Sequence, residues 1–244
     1  MVQNFNDFQS FNQNIQLSFT KRTYRRLVYR VSIHLASSIT CISQTTKSNL
    51  LAMFITEKAI KVIELSGEIP MLQVTEEFDF LVIAHSSHKN AGYVLELMSQ
   101  DSFLSQKRIA VLGKYLANDV SLLRTKSKMN LKRFEAISEK EYIYLINSSK
   151  VIVMNSEIGT EGFGLPIAQA IFLGKSSVIS QDPALIEIGE NCSIQLTGTQ
   201  HLDREILKEA CETPFKIISN FKDRAWFDVV GEIVGVSKEV RKKP

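Results

Sequence analysis

Glu161, the paired glycines behind it and Gln169 are the residues of this chain whose types and spacing best suit chemistry. They stand in Glu161-Gly-Phe-Gly-Leu-Pro-Ile-Ala-Gln169, between the apolar run Val151-Ile-Val-Met154 and the helix-like Ile167-Ala-Gln-Ala-Ile-Phe-Leu173. The pattern predicts a strand, a glycine loop and a helix. Two glycines let the backbone approach a ligand closely, and Pro166 suits a first helical turn, where its missing N–H is no loss. Free amides and the positive end of a helix dipole favour a phosphate or a polarised sugar hydroxyl. Glu161 adds a carboxylate for hydroxyls or for developing positive charge. On Gly-x-Gly alone, a ligand-free βα turn is an equally open reading.

Lys89 is the second candidate. Phe78-Asp-Phe-Leu-Val-Ile-Ala84 is an apolar run of the buried-strand kind, followed by His85-Ser-Ser-His88-Lys89-Asn90 and the amphipathic Ala91-Gly-Tyr-Val-Leu-Glu-Leu-Met98. Further strands are predicted at Arg108–Gly113, Leu131–Ile137, Val151–Met154, Ser177–Ser180 and Ser193–Leu196. A helix is predicted over Tyr115–Arg124, and Ser138-Glu-Lys-Glu141 reads as a capped helix start. Strands alternating with helices imply βαβ units with right-handed crossovers and an α/β, doubly wound parallel sheet. Ligands of such sheets bind at the carboxyl ends of the strands, where Lys89, the 134–138 loop and Glu161 would converge.

The stretch from Glu161 to Gln169, continued by Ala170-Ile-Phe-Leu-Gly174-Lys-Ser-Ser-Val178-Ile-Ser and Pro183-Ala-Leu-Ile-Glu187-Ile-Gly189, resembles the donor-site signature of retaining glycosyltransferases. The fold of that group is the two-domain GT-B fold, and the match is to its family-4 (group 1) branch. The resemblance implies that this chain is a Rossmann-like GT-B half that binds a nucleoside-diphosphate sugar. Glu161 would be the catalytic carboxylate on the sugar hydroxyls, and Lys89 would reach the donor diphosphate. Gly162, Phe163, Gly164 and Leu165 would hold donor phosphate and sugar, and Gln169 would bond the ribose where the family has a second Glu. The Phe134–Ser138 turn would lie near the nucleobase. No metal or cofactor is expected.

Two departures from the family stand out. Gln169 is an amide where a carboxylate is usual, which loses the charge-assisted part of a hydrogen bond, on the order of 1 kcal/mol. Ile83 and Ala84 occupy the stretch where the family often has Gly and Arg, so one of two phosphate-binding cations is missing unless His88 or a partner's residue substitutes.

The resemblance divides the chain into a remnant of the acceptor-side domain at 1–59, a linker at 60–75, the donor-binding domain at 76–218 and a C-terminal helical segment at 219–244. In that last segment Phe221 and Trp226 match, and Trp226 reads as a packing anchor. With 244 residues, the chain is too short for two domains of this size. Arg25 to Leu50 resembles only the end of the first domain, including its Ser-x-x-Thr helix start. Two readings follow. One is an enzyme half transferring a hexose to a glycan or glycolipid acceptor in polysaccharide biosynthesis; the other is a non-catalytic scaffolding subunit of a full-length transferase, pairing with a second glycosyltransferase chain or with itself. A dinucleotide-binding domain fits less well, because the glycine loop comes late in the chain.

Charge narrows the partners. The balance of 29 Lys+Arg against 26 Asp+Glu is too mild to indicate nucleic acid. No acidic residue stands between Phe8 and Thr56, whereas Lys21, Arg22, Arg25, Arg26 and Arg30 are basic, and Phe5, Phe8, Phe11 and Ile15 precede them at helical spacing. This suits peripheral contact with an anionic membrane; packing on an absent domain, and disorder of the Asn/Gln-rich residues 1–16, are open alternatives. An Arg-rich mitochondrial presequence is disfavoured by Asp7. Cys41, Cys192 and Cys211 are expected as reduced, buried thiols in a cytoplasmic protein, and His34, His85, His88 and His201 show no metal spacing.

Overall fold

Residues 19–113, 129–190, 192–213 and 225–241 are described by a computed structural model. The first element is the helix Phe19–Leu35 (α1), followed by strand Ile39–Cys41 (β1), helix Gln44–Met53 (α2) and strand Ile60–Val62 (β2). β1 and β2 pair in parallel, Ile39 opposite Ile60. The unit has its own small core of Ile33, Ile39, Cys41, Leu50 and Phe54. Ser43 caps α2 by accepting from the Thr46 N–H, which is the Ser-x-x-Thr signal seen in the sequence. Residues 60–62 thus belong to this βαβ unit, at the start of the stretch expected as a linker.

The larger sheet has six strands: Phe78–Ile83 (β3), Ile109–Leu112 (β4), Leu131–Phe134 (β5), Ser149–Met154 (β6), Ser176–Ile179 (β7) and Ile194–Gln195 (β8). Their order is β5-β4-β3-β6-β7-β8, and every pairing is parallel. β3 and β6 are central and bury nearly every residue on both faces, which is why they read as unbroken apolar runs. β5 lies at the edge and stops at Phe134, three residues short of the sequence reading.

Helices cover both faces. Ala91–Gln100 (α3) and Gln200–Glu212 (α7) bury Val94, Leu95, Met98, Leu207 and Ala210 against Phe80, Val82, Val111, Val151 and Val153. Glu139–Asn147 (α4), Leu165–Phe172 (α5) and Pro183–Gly189 (α6) pack Leu145, Ile146, Ile167, Ala168, Ile171, Leu185 and Ile188 against Leu81, Ile83, Ile152, Met154 and Ile179. The alternation of β-strand side chains sends successive residues to opposite layers. Ser138 and Glu141 form a reciprocal capping box at the start of α4. The helix read over Tyr115–Arg124 and the residues Phe5, Phe8, Phe11, Ile15 and Phe221 lie outside the described residues, as do the side chains of Lys21, Arg22, Arg25 and Arg26. All three cysteines are free and buried. Among the described residues, no helix is long and apolar enough to cross a membrane.

The last helix, Trp226–Arg241 (α8), packs Val229 and Val236, with Ile233, on Ile63 and Leu65. Trp226 is not the buried anchor that the sequence suggests. It is 37% exposed, and its indole N–H donates to the Glu68 carbonyl at 3.2 Å. The buried stripe runs 229, 233, 236 along the helix, so Trp226 falls at its open end, where its polar edge finds an acceptor.

The small unit is fastened to the large one through the start of α2. Glu187 on α6 accepts from the N–H groups of Gln44 and Thr45 at 2.6 and 2.8 Å and from the Thr45 hydroxyl at 2.7 Å. A carboxylate at a helix N-terminus satisfies donors that the helix cannot and meets its positive dipole end. Glu187→Ala is expected to weaken this docking by about 1.5–3 kcal/mol. Hydrogen exchange at the Gln44 and Thr45 amides would accelerate while that of β3 and β6 stays unchanged; unchanged exchange at Gln44 and Thr45 would show that the docking rests elsewhere.

Candidate functional site

The strand order reverses around β3: the chain runs outward through β4 and β5, then returns to the other side of β3 as β6. A crevice opens at such a switch point, outside the carboxyl ends of the strands. Here it is a cleft of about 370 Å³ lined by Ile83, His85, Leu112, Tyr142, Met154 and the residues Lys89, Glu161, Gly164, Leu165 and Pro166. Ile83, Leu112 and Met154 are the last residues of β3, β4 and β6.

Lys89 and Glu161 meet inside this cleft. Lys89, at 2% exposure, ends a short 3₁₀ turn over Ser87–Lys89, and Asn90 at φ 40° turns the chain from it into α3. Its Nζ lies 2.5 Å from Glu161 Oε1. The Ser156 hydroxyl donates to the same oxygen at 2.6 Å, and His88 Nε2 lies 3.5 Å away. Oε2 of Glu161 accepts from no group among the described residues. Burial by itself would raise the Glu161 pKa, but the neighbouring His88 ring, the charge of Lys89 and the Ser156 hydroxyl hold it at about 2. Burial pushes the Lys89 ammonium below its ordinary value, and Glu161 opposes that.

Asp182, fully buried, fixes the backbone of the loop that carries Glu161. One carboxylate oxygen accepts from the N–H groups of Thr160 and Glu161 at 2.9 and 3.3 Å; the other caps α6, accepting from Ala184 and Leu185. Burial raises its pKa, and these N–H groups pull it down. Gly164 completes the loop. At φ 85° it adopts a left-handed conformation, and a Cβ there would fall 2.4 Å from Leu185 Cδ2. It is the N-cap of α5; Pro166 has no N–H and Ile167 donates to the Gly164 carbonyl, so the first turn leaves the Leu165 N–H without a partner among the described residues.

The sequence candidates divide. Glu161, Lys89, Gly164 and Leu165 come together in the cleft wall. Gly162, Phe163 and Gln169 do not line it. The Gly162 carbonyl faces the small unit, accepting from the hydroxyls of Ser43 and Thr46 at 2.7 and 3.0 Å, and Phe163 is buried in the apolar layer beneath the sheet. Gln169 is 8% exposed and accepts at Oε1 from the phenol of Tyr142, which itself lines the cleft. Ser156, Tyr142, His85 and Asp182 were not singled out as site residues by the sequence. Only Asp182 left a signal there, an Asp directly before a helix-starting Pro.

No family model matches the chain, and no curated protein matches it. Solved structures do resemble it. Sucrose-phosphate synthase from Thermosynechococcus elongatus matches 98% of this chain and 66% of its own at 12% identity and a TM-score of 0.76. TarM of S. aureus matches 98% of this chain and 49% of its own at 11% identity and a TM-score of 0.69. HepE from Anabaena, in complex with UDP-glucose, matches 89% and 68% at 15% identity and a TM-score of 0.72. This chain therefore spans 66% or less of the first two structures. At these identities the likeness is one of fold, and the fold is that of a Rossmann-like half of the GT-B glycosyltransferases.

Proposed function

We propose that the chain binds a nucleoside-diphosphate sugar in the cleft between β3, β6 and α5, and serves as the donor half of a hexosyl transfer to a glycan or glycolipid hydroxyl. The observation that carries this reading is Glu161, a carboxylate held ionised by its neighbours His88 and Lys89, with Oε2 unbonded among the described residues and the start of α5 lining the same cleft. A hexose hydroxyl can donate to Oε2, and the Leu165 amide at the start of α5 together with Lys89 suits the donor phosphates. UDP-sugar and UDP complexes of HepE, a protein of the same fold, support the choice of ligand class.

In the transfer, the bond between the anomeric carbon and the diphosphate oxygen breaks with its electron pair going to the diphosphate. The acceptor oxygen bonds that carbon, and its proton passes to the leaving diphosphate oxygen. The charge that builds on the leaving diphosphate would be stabilised by the Leu165 amide, the α5 dipole and Lys89, and the positive charge developing on the sugar by Glu161. These are roles that need no metal ion. The Tyr142–Gln169 pair would sit toward the ribose, and the turn after β5, Phe134–Ser138, toward the base. The resemblance to the family-4 branch supports retention of configuration and a place in polysaccharide assembly at the inner face of a membrane.

One observation favours the scaffolding alternative. Tyr24, Leu27, Val31 and Leu35 on α1, and Ile55 after α2, are exposed apolar side chains on one small unit, as a surface that meets another chain would be.

Three measurements follow. UDP or GDP at millimolar concentration is expected to raise the melting temperature, because a ligand that binds only the native state stabilises it. No shift with either nucleotide would refute the donor reading. Lys89→Met is expected to weaken nucleoside diphosphate binding by about 1.5–3 kcal/mol while leaving nucleoside binding nearly unchanged; equal losses for both would make Lys89 purely structural. Gln169→Glu is expected to tighten binding of nucleotides with both ribose hydroxyls over the dideoxy form, since a carboxylate only accepts. An unchanged ratio would mean that the ribose is held elsewhere.

A further inference from the structure

The cleft is charge-compensated as it stands. Its lysine, Lys89, is paired with its carboxylate, Glu161, and a second carboxylate, Asp182, lies buried behind the loop. Ile83, Leu112, Tyr142, Met154 and α5 bring no charge. A donor diphosphate carries two negative charges, and in a semi-enclosed, low-dielectric cleft with no net cation these would be poorly matched. One cleft-lining group remains that can become positive without already being paired to a carboxylate: His85.

The backbone fixes where His85 stands. It follows Ala84 at the end of β3, one turn before Lys89. Gly113, at the end of β4, packs directly on it: at φ 129° a Cβ there would lie 2.3 Å from the Ala84 carbonyl carbon and the His85 nitrogen. That contact pins the 84–85 peptide at the floor of the cleft. His85 is exposed to solvent while it lines the cleft, and no hydrogen bond to its ring is made among the described residues.

We propose that His85, as an imidazolium, is the second cation for the donor diphosphate, so that binding at neutral pH takes up a proton. This rests on the donor reading above. The groups facing His85 are Lys89 and His88 on its own loop and Glu161 from the loop after β6. From α4 comes only the Tyr142 phenol, and α5 presents Gly164, Leu165 and Pro166. Arg133 of β5 donates to the Gly113 carbonyl and pairs with Glu135. In the empty cleft the imidazole titrates below its ordinary value, through burial first and the charge of Lys89 second, with Glu161 opposing. It is therefore neutral at pH 7 until an anion arrives, and a bound diphosphate raises its pKa. Affinity should be flat where His85 is protonated in both states, fall as pH rises through the free-state and toward the bound-state pKa, and flatten again above it.

Calorimetry with UDP-glucose and GDP-glucose tests this, because the phosphates of a diphosphate diester keep their charge across the range in which histidine titrates. Between about pH 5 and 8 the affinity is expected to fall, by up to about tenfold per pH unit at its steepest. Runs in two buffers of different ionisation enthalpy should show uptake of up to one proton. His85→Arg should bind more tightly at the high end with no slope and no uptake. His85→Gln should bind weakly with no slope, and His88→Gln should keep the slope. Binding without a pH slope, or a slope that survives in His85→Gln, overturns this inference and leaves the donor reading intact. Failure of both nucleotide sugars to bind at any pH, His85→Arg included, overturns the donor reading and this inference with it.

Discussion

A lysine exposed to only 2% must find a carboxylate, and this requirement ties the loop after β3 to the loop after β6. An ammonium left alone at that depth would cost several kcal/mol, so the cleft exists only in the geometry that joins Lys89 to Glu161. The loop after β6 is held from below as well. Asp182 takes the Thr160 and Glu161 N–H groups with one oxygen while its other oxygen starts α6. One buried carboxylate thereby sets both the height of Glu161 and the direction of the next helix. Ser156 adds a hydroxyl to the same Glu161 oxygen, which leaves Oε2 without a partner among the described residues.

The loop also reaches the other way. Gly162 gives its carbonyl to Ser43 and Thr46, and Glu187 caps α2, so the small βαβ unit grips the glycine loop on the side opposite the cleft. A ligand that shifts Gly164 or Leu165 therefore presses on a segment already fastened to α2. The cleft wall at Gly164 and the seating of the small unit at Gly162 are thus separated by two residues of backbone.

Much of this was legible in the residues because local signals agreed with the tertiary answer. Apolar runs without alternation marked β3 and β6 as doubly buried, Ser138 and Glu141 formed the capping box, and Gly164 before Pro166 gave the left-handed turn and helix start. What failed to show was decided by partners far away in sequence. Gly162 and Phe163 share the signature but face away from the cleft, because the Ser43 and Thr46 hydroxyls take the Gly162 carbonyl and the apolar layer takes the Phe163 ring. Gln169 is bonded by Tyr142, 27 positions earlier, and nothing in either residue's neighbourhood announces the pair. Trp226 looked like a core aromatic until the helix phase set by Val229, Ile233 and Val236 left it at the rim. His85 was an unremarked loop residue, since its meaning depends on Lys89 and Glu161 neutralising each other.

The most direct test is a crystal structure of the chain with a bound nucleoside-diphosphate sugar. The account predicts the diphosphate within hydrogen-bonding distance of Lys89 Nζ and the Leu165 amide, and a hexose hydroxyl on Glu161 Oε2. A nucleotide sugar seated outside the cleft, with the Lys89–Glu161 pair untouched and α5 facing solvent, would contradict it.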